Sequence, residues 1–227
     1  MFFYDYYYII LVIPALILSL VAQANVKRVY KSMSAIKNRK MMTGAQAAYS
    51  VLCFAGLGNT VRLECIGGNL TDHFDPKANV IRLSQAVYNG TSIASIGVAC
   101  HEVGHAIQYA TSYAPIKIRN TILPVANFGS SAGFLIAIVG YFMGAELIVN
   151  IGIILFACVV LFQLITLPVE FNASRRAMSL IAEKGLLYED ELPKARKVLT
   201  AAALTYVAAL IVSIMSLLRL VLRTRRN

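Results

Sequence analysis

The sequence predicts a mostly α-helical membrane protein with a small β-sheet or hairpin and three or four transmembrane helices. Three observations carry this. Hydrophobic residues make up 58% of the 227 positions and charged residues only 14%, against ~25% charged in ordinary soluble domains. Mean hydropathy is +0.67. The apolar residues also gather in long uncharged runs, and runs of about 18 or more read as spans.

The elements follow in order. Phe2 to Ala22 is the first run, broken only by Asp5. Ala22-Gln23-Ala24 imitates a signal-peptidase site, but a signal peptide begins with positive charge and lacks a dense basic block just behind it. Here Lys27, Arg28, Lys31, Lys37, Arg39 and Lys40 follow, which favours an uncleaved anchor with its N-terminus outside. Val26, Val29, Tyr30, Met33 and Ile36 then recur at helical spacing opposite the basic residues, as in a helix lying on anionic headgroups. Thr43 is placed to cap a short helix ending near Gly56 and Gly58. Val61 to Ile66 alternates as a strand. Leu70 to Phe74 and Val80 to Leu83 make a hairpin around Asp75-Pro76-Lys77-Ala78-Asn79. Thr91 offers a cap for a helix from Ser92 to about Tyr109. Ile122–Tyr141 and Leu147–Leu167 are the next two runs, joined at Met143-Gly144-Ala145, with Pro124 and Pro168 near their outer ends. Leu199 to Leu218 is the last run, closed by Arg219, Arg223, Arg225 and Arg226.

These limits divide the chain into an anchor (1–24), a juxtamembrane and catalytic part (25–119), a transmembrane hairpin (120–168), a cytosolic segment (169–198) and a C-terminal apolar helix with a basic tail (199–227). The formal charge of +10 fits topology, with no aromatic residues interleaved as a nucleic-acid surface would require. Eleven basic residues lie between Lys27 and Arg119, and six between Arg175 and Lys197. Positive charge marks the cytosolic side, so both segments are expected there. The arginines after the last run are the exception, and they leave open whether that run crosses. None of the four cysteines forms a C-x-x-C pair, which supports neither a disulfide framework nor a thiolate metal site.

The chemistry centres on His101-Glu102-Val103-Gly104-His105. Residues four apart share one helical face, so both imidazoles reach one ion. Zinc takes such nitrogens and lowers the pKa of a bound water, and Glu102 is placed to accept the proton as a peptide carbonyl is attacked. A third histidine ligand at the usual spacing is missing, since Gln108 and Thr111 stand there. The carboxylates after the motif are Glu170, Glu183, Glu189, Asp190 and Glu191. Glu170, directly after a span, is the preferred third ligand. The last histidine, His73, is an oxyanion-donor candidate or a turn residue bonded to Asp72 or Asp75. Tyr206 is another candidate donor, with core packing as its alternative.

The segments Leu70–Pro76, His101–Gln108 and Glu170–Ser174 resemble the YugP family of bacterial membrane zinc metallopeptidases, over nearly the whole chain. More distantly the chain is similar to HtpX and the CAAX prenyl-protein endoproteases. The resemblance implies a gluzincin-type site in a zincin-like catalytic domain on the cytosolic face of the cell membrane. It departs from the HtpX pattern at Ser174, where those enzymes carry an aspartate that orients a zinc histidine. The expected reading is a multi-pass zinc metalloendopeptidase in the lipid bilayer, acting on proteins or peptides, membrane proteins among them, and not on nucleic acid. The rivals are an intramembrane site-2-type protease and a catalytically idle zinc-binding scaffold.

Overall fold

The computed structural model describes residues 6–224. Phe2 to Asp5 of the first run, and Arg225 and Arg226 of the tail, lie outside the described residues. In chain order the elements are α1 (Ile13–Ser34, after a π-helical turn Tyr8–Val12), α2 (Gly44–Phe54), β1 (Arg62–Ile66), β2 (His73–Asp75), β3 (Val80–Ser84), α3 (Gln85–Tyr88), α4 (Ile93–Ala110), α5 (Ala114–Phe128), α6 (Phe134–Phe142, after a π-helical stretch Gly129–Gly133), α7 (Glu146–Glu183) and α8 (Leu192–Thr224). Two compact units result. The first holds Met1–Gln23, Ala114–Pro168 and Leu204–Asn227, and the second holds Ala24–Tyr113 and Val169–Ala203.

The first unit is helical, and its glycines let backbones approach closely. A Cβ on Gly129 would lie 2.4 Å from the Leu155 carbonyl oxygen, a packing typical of helices in lipid. Among the described residues, four helices are long and apolar enough to cross a membrane: Tyr8–Ser34, Ala114–Phe142, Glu146–Glu183 and Leu192–Thr224. The last is the run left open by its arginines. Arg219 packs over the Tyr8 and Phe134 rings at 4.8 and 5.8 Å, and Arg223 over Tyr141 at 5.2 Å. The C-terminal end of α8 therefore lies at the same end of this unit as Tyr8 and α6. Aromatic faces attract guanidinium groups there.

In the second unit, α2 and α4 pack with the sheet around a core that includes Leu52, Ile81, Leu83, Ile96, Val103 and Ile181. Thr43 caps α2 as expected, in a reciprocal capping box with Gln46. The strand order is β1-β3-β2, with β1 parallel to β3 and β2 antiparallel to it. β3 is the central strand, and four of its five residues are buried.

Several expectations are corrected. The face of Val26 to Ile36 does not form a separate surface helix, because those residues continue α1 to Ser34. Val29 and Met33 are buried against Ala94, Val198 and Ala201 rather than turned to headgroups. Thr91 is not the cap of α4: Ser92 is, its hydroxyl accepting from Ser95 N–H at 3.0 Å. β2 begins at His73, since Leu70 has φ of +56°, which no strand accommodates. The span expected from Ile122 belongs to a helix that starts at Ala114. Pro124 and Pro168 lie inside α5 and α7 rather than at their ends. The run ending at Leu167 thus passes without a break into the helix bearing Glu170.

Candidate metal centre

The second unit builds the site from two helices. α4 carries His101, Glu102 and His105, and the first turns of α7 within this unit carry Glu170 and Ser174. The helices meet where α4 has glycine: a Cβ on Gly104 would lie 2.6 Å from the Ala173 carbonyl oxygen. Ala173 is itself fully buried. That contact sets Glu170 against the histidine face.

Glu170 is buried, with its Oε2 3.4 Å from His101 Nε2 and 3.7 Å from His105 Nε2. The two rings stand edge to face, centroids 4.7 Å apart. Among the described residues this is the one group of three or more histidine, cysteine or acidic side chains with ligand atoms close enough to hold a metal ion, all within 4.8 Å of one another. The donor set fits zinc. Ligands about 2.0–2.1 Å from a tetrahedral ion stand about 3.3 Å apart, close to the spacing of the imidazole nitrogens from Glu170. Electrostatics agree. Burial opposes a charged His105, yet the Glu170 hydrogen bond and the Glu102 and Glu170 carboxylates outweigh it and raise its pKa above the usual histidine value. A place that favours an imidazolium favours cations generally.

Each ring's other nitrogen is also engaged. His101 Nδ1 is 3.2 Å from the Ser174 hydroxyl, and His105 Nδ1 is 3.0 Å from the Gln108 amide oxygen. Outer partners of this kind orient metal-binding histidines. Gln108 was read only as the absence of a third histidine. It is fully buried, and a buried amide needs partners. Its place three residues after His105, on the same helical face and within reach of that ring, was the available signal.

Glu102 is 7% exposed, and among the described residues no hydrogen bond or ion pair holds its carboxylate. The other acids named as third-ligand alternatives are not gathered at the imidazoles. Glu191 accepts from the backbone N–H groups of Arg39 and Tyr188 at 3.0 and 2.8 Å, and Asp190 pairs with Arg39. His73 is not brought to the group either. It is exposed, with Nδ1 2.8 Å from the Thr71 carbonyl rather than bonded to Asp72 or Asp75. Strand alternation explains this: Phe74 turns inward to meet Tyr109 of α4 at 5.5 Å, so His73 and Asp75 point the other way. Asp75 is held below the usual carboxylate range by its hydrogen bond from Arg82. Tyr206 is 41% exposed and belongs to the first unit, whereas the metal-compatible group lies in the second. Cys100, beside His101, is fully buried, which pushes its thiol up to about 12 and keeps it a neutral core residue.

A histidine pair and a carboxylate closing on one point, in a chain with helices long and apolar enough to cross a membrane, define a class: proteins that combine a candidate metal centre with candidate membrane spans. The family model described as "Putative neutral zinc metallopeptidase" matches residues 8–225, and the chain belongs to that family. It is also 47% identical over 215 residues, 95% of each chain, to the "Putative membrane protease YugP" of Bacillus subtilis (strain 168). No solved structure matches the chain.

Proposed function

We propose that the protein is a multi-pass membrane zinc metalloendopeptidase of the gluzincin type, with His101, His105 and Glu170 as ligands and Glu102 as general base. The observation that carries this reading is the approach of both Nε2 atoms to one Glu170 oxygen, with both Nδ1 atoms already engaged. Zinc bound there would supply Lewis-acid activation of water and of a peptide carbonyl. The chain supplies the rest. Glu102 follows His101 by one residue, so its carboxylate is directed beside the ligand face rather than onto it. Its burial, without a hydrogen bond or ion pair among the described residues, suits a base that takes a proton from water and passes it to the leaving amine. Ser174 and Gln108 hold the two rings.

The site-2-type alternative finds no support in α4, which is not among the four helices apolar enough to span and is buried against α2 and the strands. The positive-inside pattern supports a cytosolic second unit in this reading. The substrates in this reading are proteins or peptides, reached at the membrane.

Glu102→Gln tests the mechanism. It keeps the side chain's shape but accepts no proton. Zinc content is expected to match wild type, while peptide hydrolysis falls by about 10²–10⁴-fold, the usual weight of a general base. Wild-type turnover in a zinc-loaded variant would refute the role of Glu102. Zinc binding without hydrolysis by either protein would favour the idle scaffold.

A further inference from the structure

We infer that Gln108 is a positioning residue: it fixes His105 in the tautomer that turns Nε2 toward Glu170, and it ties that ring to the helix bearing the third ligand. The inference rests on the metal reading proposed above. The hydrogen atoms can be assigned along a chain of contacts, starting from a group with no ambiguity. Arg176 has only donors. Its Nε donates to Asn172 at 2.8 Å, so the Asn172 atom facing it is the oxygen. That oxygen lies 3.0 Å from one end of the Gln108 amide, and the Val169 carbonyl, which only accepts, lies 2.8 Å from the same end. Two acceptors identify that end as the NH2 group. The Gln108 oxygen therefore faces His105 Nδ1 at 3.0 Å. An amide oxygen only accepts, so Nδ1 carries the hydrogen and a neutral His105 presents its lone pair at Nε2.

The two histidines are thus held differently. The Ser174 hydroxyl beside His101 can donate or accept, so it orients that ring without choosing its tautomer. Gln108 chooses one for His105. It also grips α7 at Val169, the residue before Glu170, so one side chain sets the spacing of two ligands. The arrangement accounts for a fully buried amide in a position that an apolar side chain could fill. Burying an amide is unfavourable unless its hydrogen bonds are made, and all of those named here are made within the second unit.

The test uses the full-length protein in detergent. Zinc affinity is read by competition with a chelator, and ligand geometry by the visible spectrum of the cobalt-substituted protein. Gln108→Leu removes both halves of the clamp and is expected to weaken zinc binding about 10–100-fold, the usual effect of losing an outer partner. Gln108→Glu keeps an oxygen for Nδ1 but gives up the NH2 donors to Val169 and Asn172, so it is expected to recover only part of that loss. Gln108→Met, unbranched and of glutamine's length, repeats the comparison if the leucine variant does not fold. Wild-type affinity and a wild-type cobalt spectrum in the apolar variants would overturn the inference. Full zinc occupancy in His101→Ala would instead sink the metal site itself, whatever the Gln108 variants do.

Discussion

At Gly104, the absence of one methyl group allows the helix bearing His101 and His105 to meet the one bearing Glu170. Alanine there would press its Cβ to 2.6 Å from the Ala173 carbonyl oxygen, and backbone on both sides leaves nothing flexible to yield. Gly104→Ala is therefore expected to cost about 1–3 kcal/mol by overpacking and to weaken zinc retention by moving Glu170. Thermal unfolding beside metal content checks this, and a variant that melts and binds zinc like wild type would show that the close approach is not needed. Sequence alone located the histidines because four-residue spacing on a helix is local information. The resemblance singled out Ser174, and its hydroxyl does reach His101. Gln108 escaped because half of what defines it, the Val169 carbonyl and Asn172, lies about sixty residues further along the chain. Spacing within one helix carries no trace of such partners.

Among the elements, apolar runs were legible and helix continuity was not. Composition marks where lipid-compatible sequence stops, and Pro168 followed by polar residues reads as a boundary. Yet α7 runs from Glu146 to Glu183 through that proline, because a proline removes one backbone hydrogen bond without ending a helix whose flanks are held by packing. The hairpin of β2 and β3 was likewise legible from its turn residues, whereas the parallel pairing of β1 with β3 depends on non-local contacts. α8 shows what the structure adds. Its arginines resisted a topological reading by charge alone, and their seats over Tyr8, Phe134 and Tyr141 support a full crossing. With an outside N-terminus, Thr224→Cys is expected to react with a membrane-impermeant thiol reagent in intact cells, while Glu189→Cys reacts only after lysis. Both would be read in a background lacking the native cysteines. Protection of Thr224→Cys would mean that α8 does not cross, and labelling of Glu189→Cys without lysis would put the second unit outside.

For the molecule as a whole, helices α1, α7 and α8 each contribute residues to both compact units. The helix that presents Glu170 is also one of the four long and apolar enough to cross a membrane, so the proposed third ligand sits on a candidate span. The central claim is that this glutamate completes a one-zinc site with His101 and His105. Metal analysis of detergent-purified wild type and Glu170→Ala tests it most directly, with unfolding followed in parallel to confirm that both are folded. About one zinc per chain is expected in the wild type, since three protein ligands leave the fourth position for water, and zinc should be largely lost from the variant. A folded Glu170→Ala protein that keeps its full zinc would contradict the assignment.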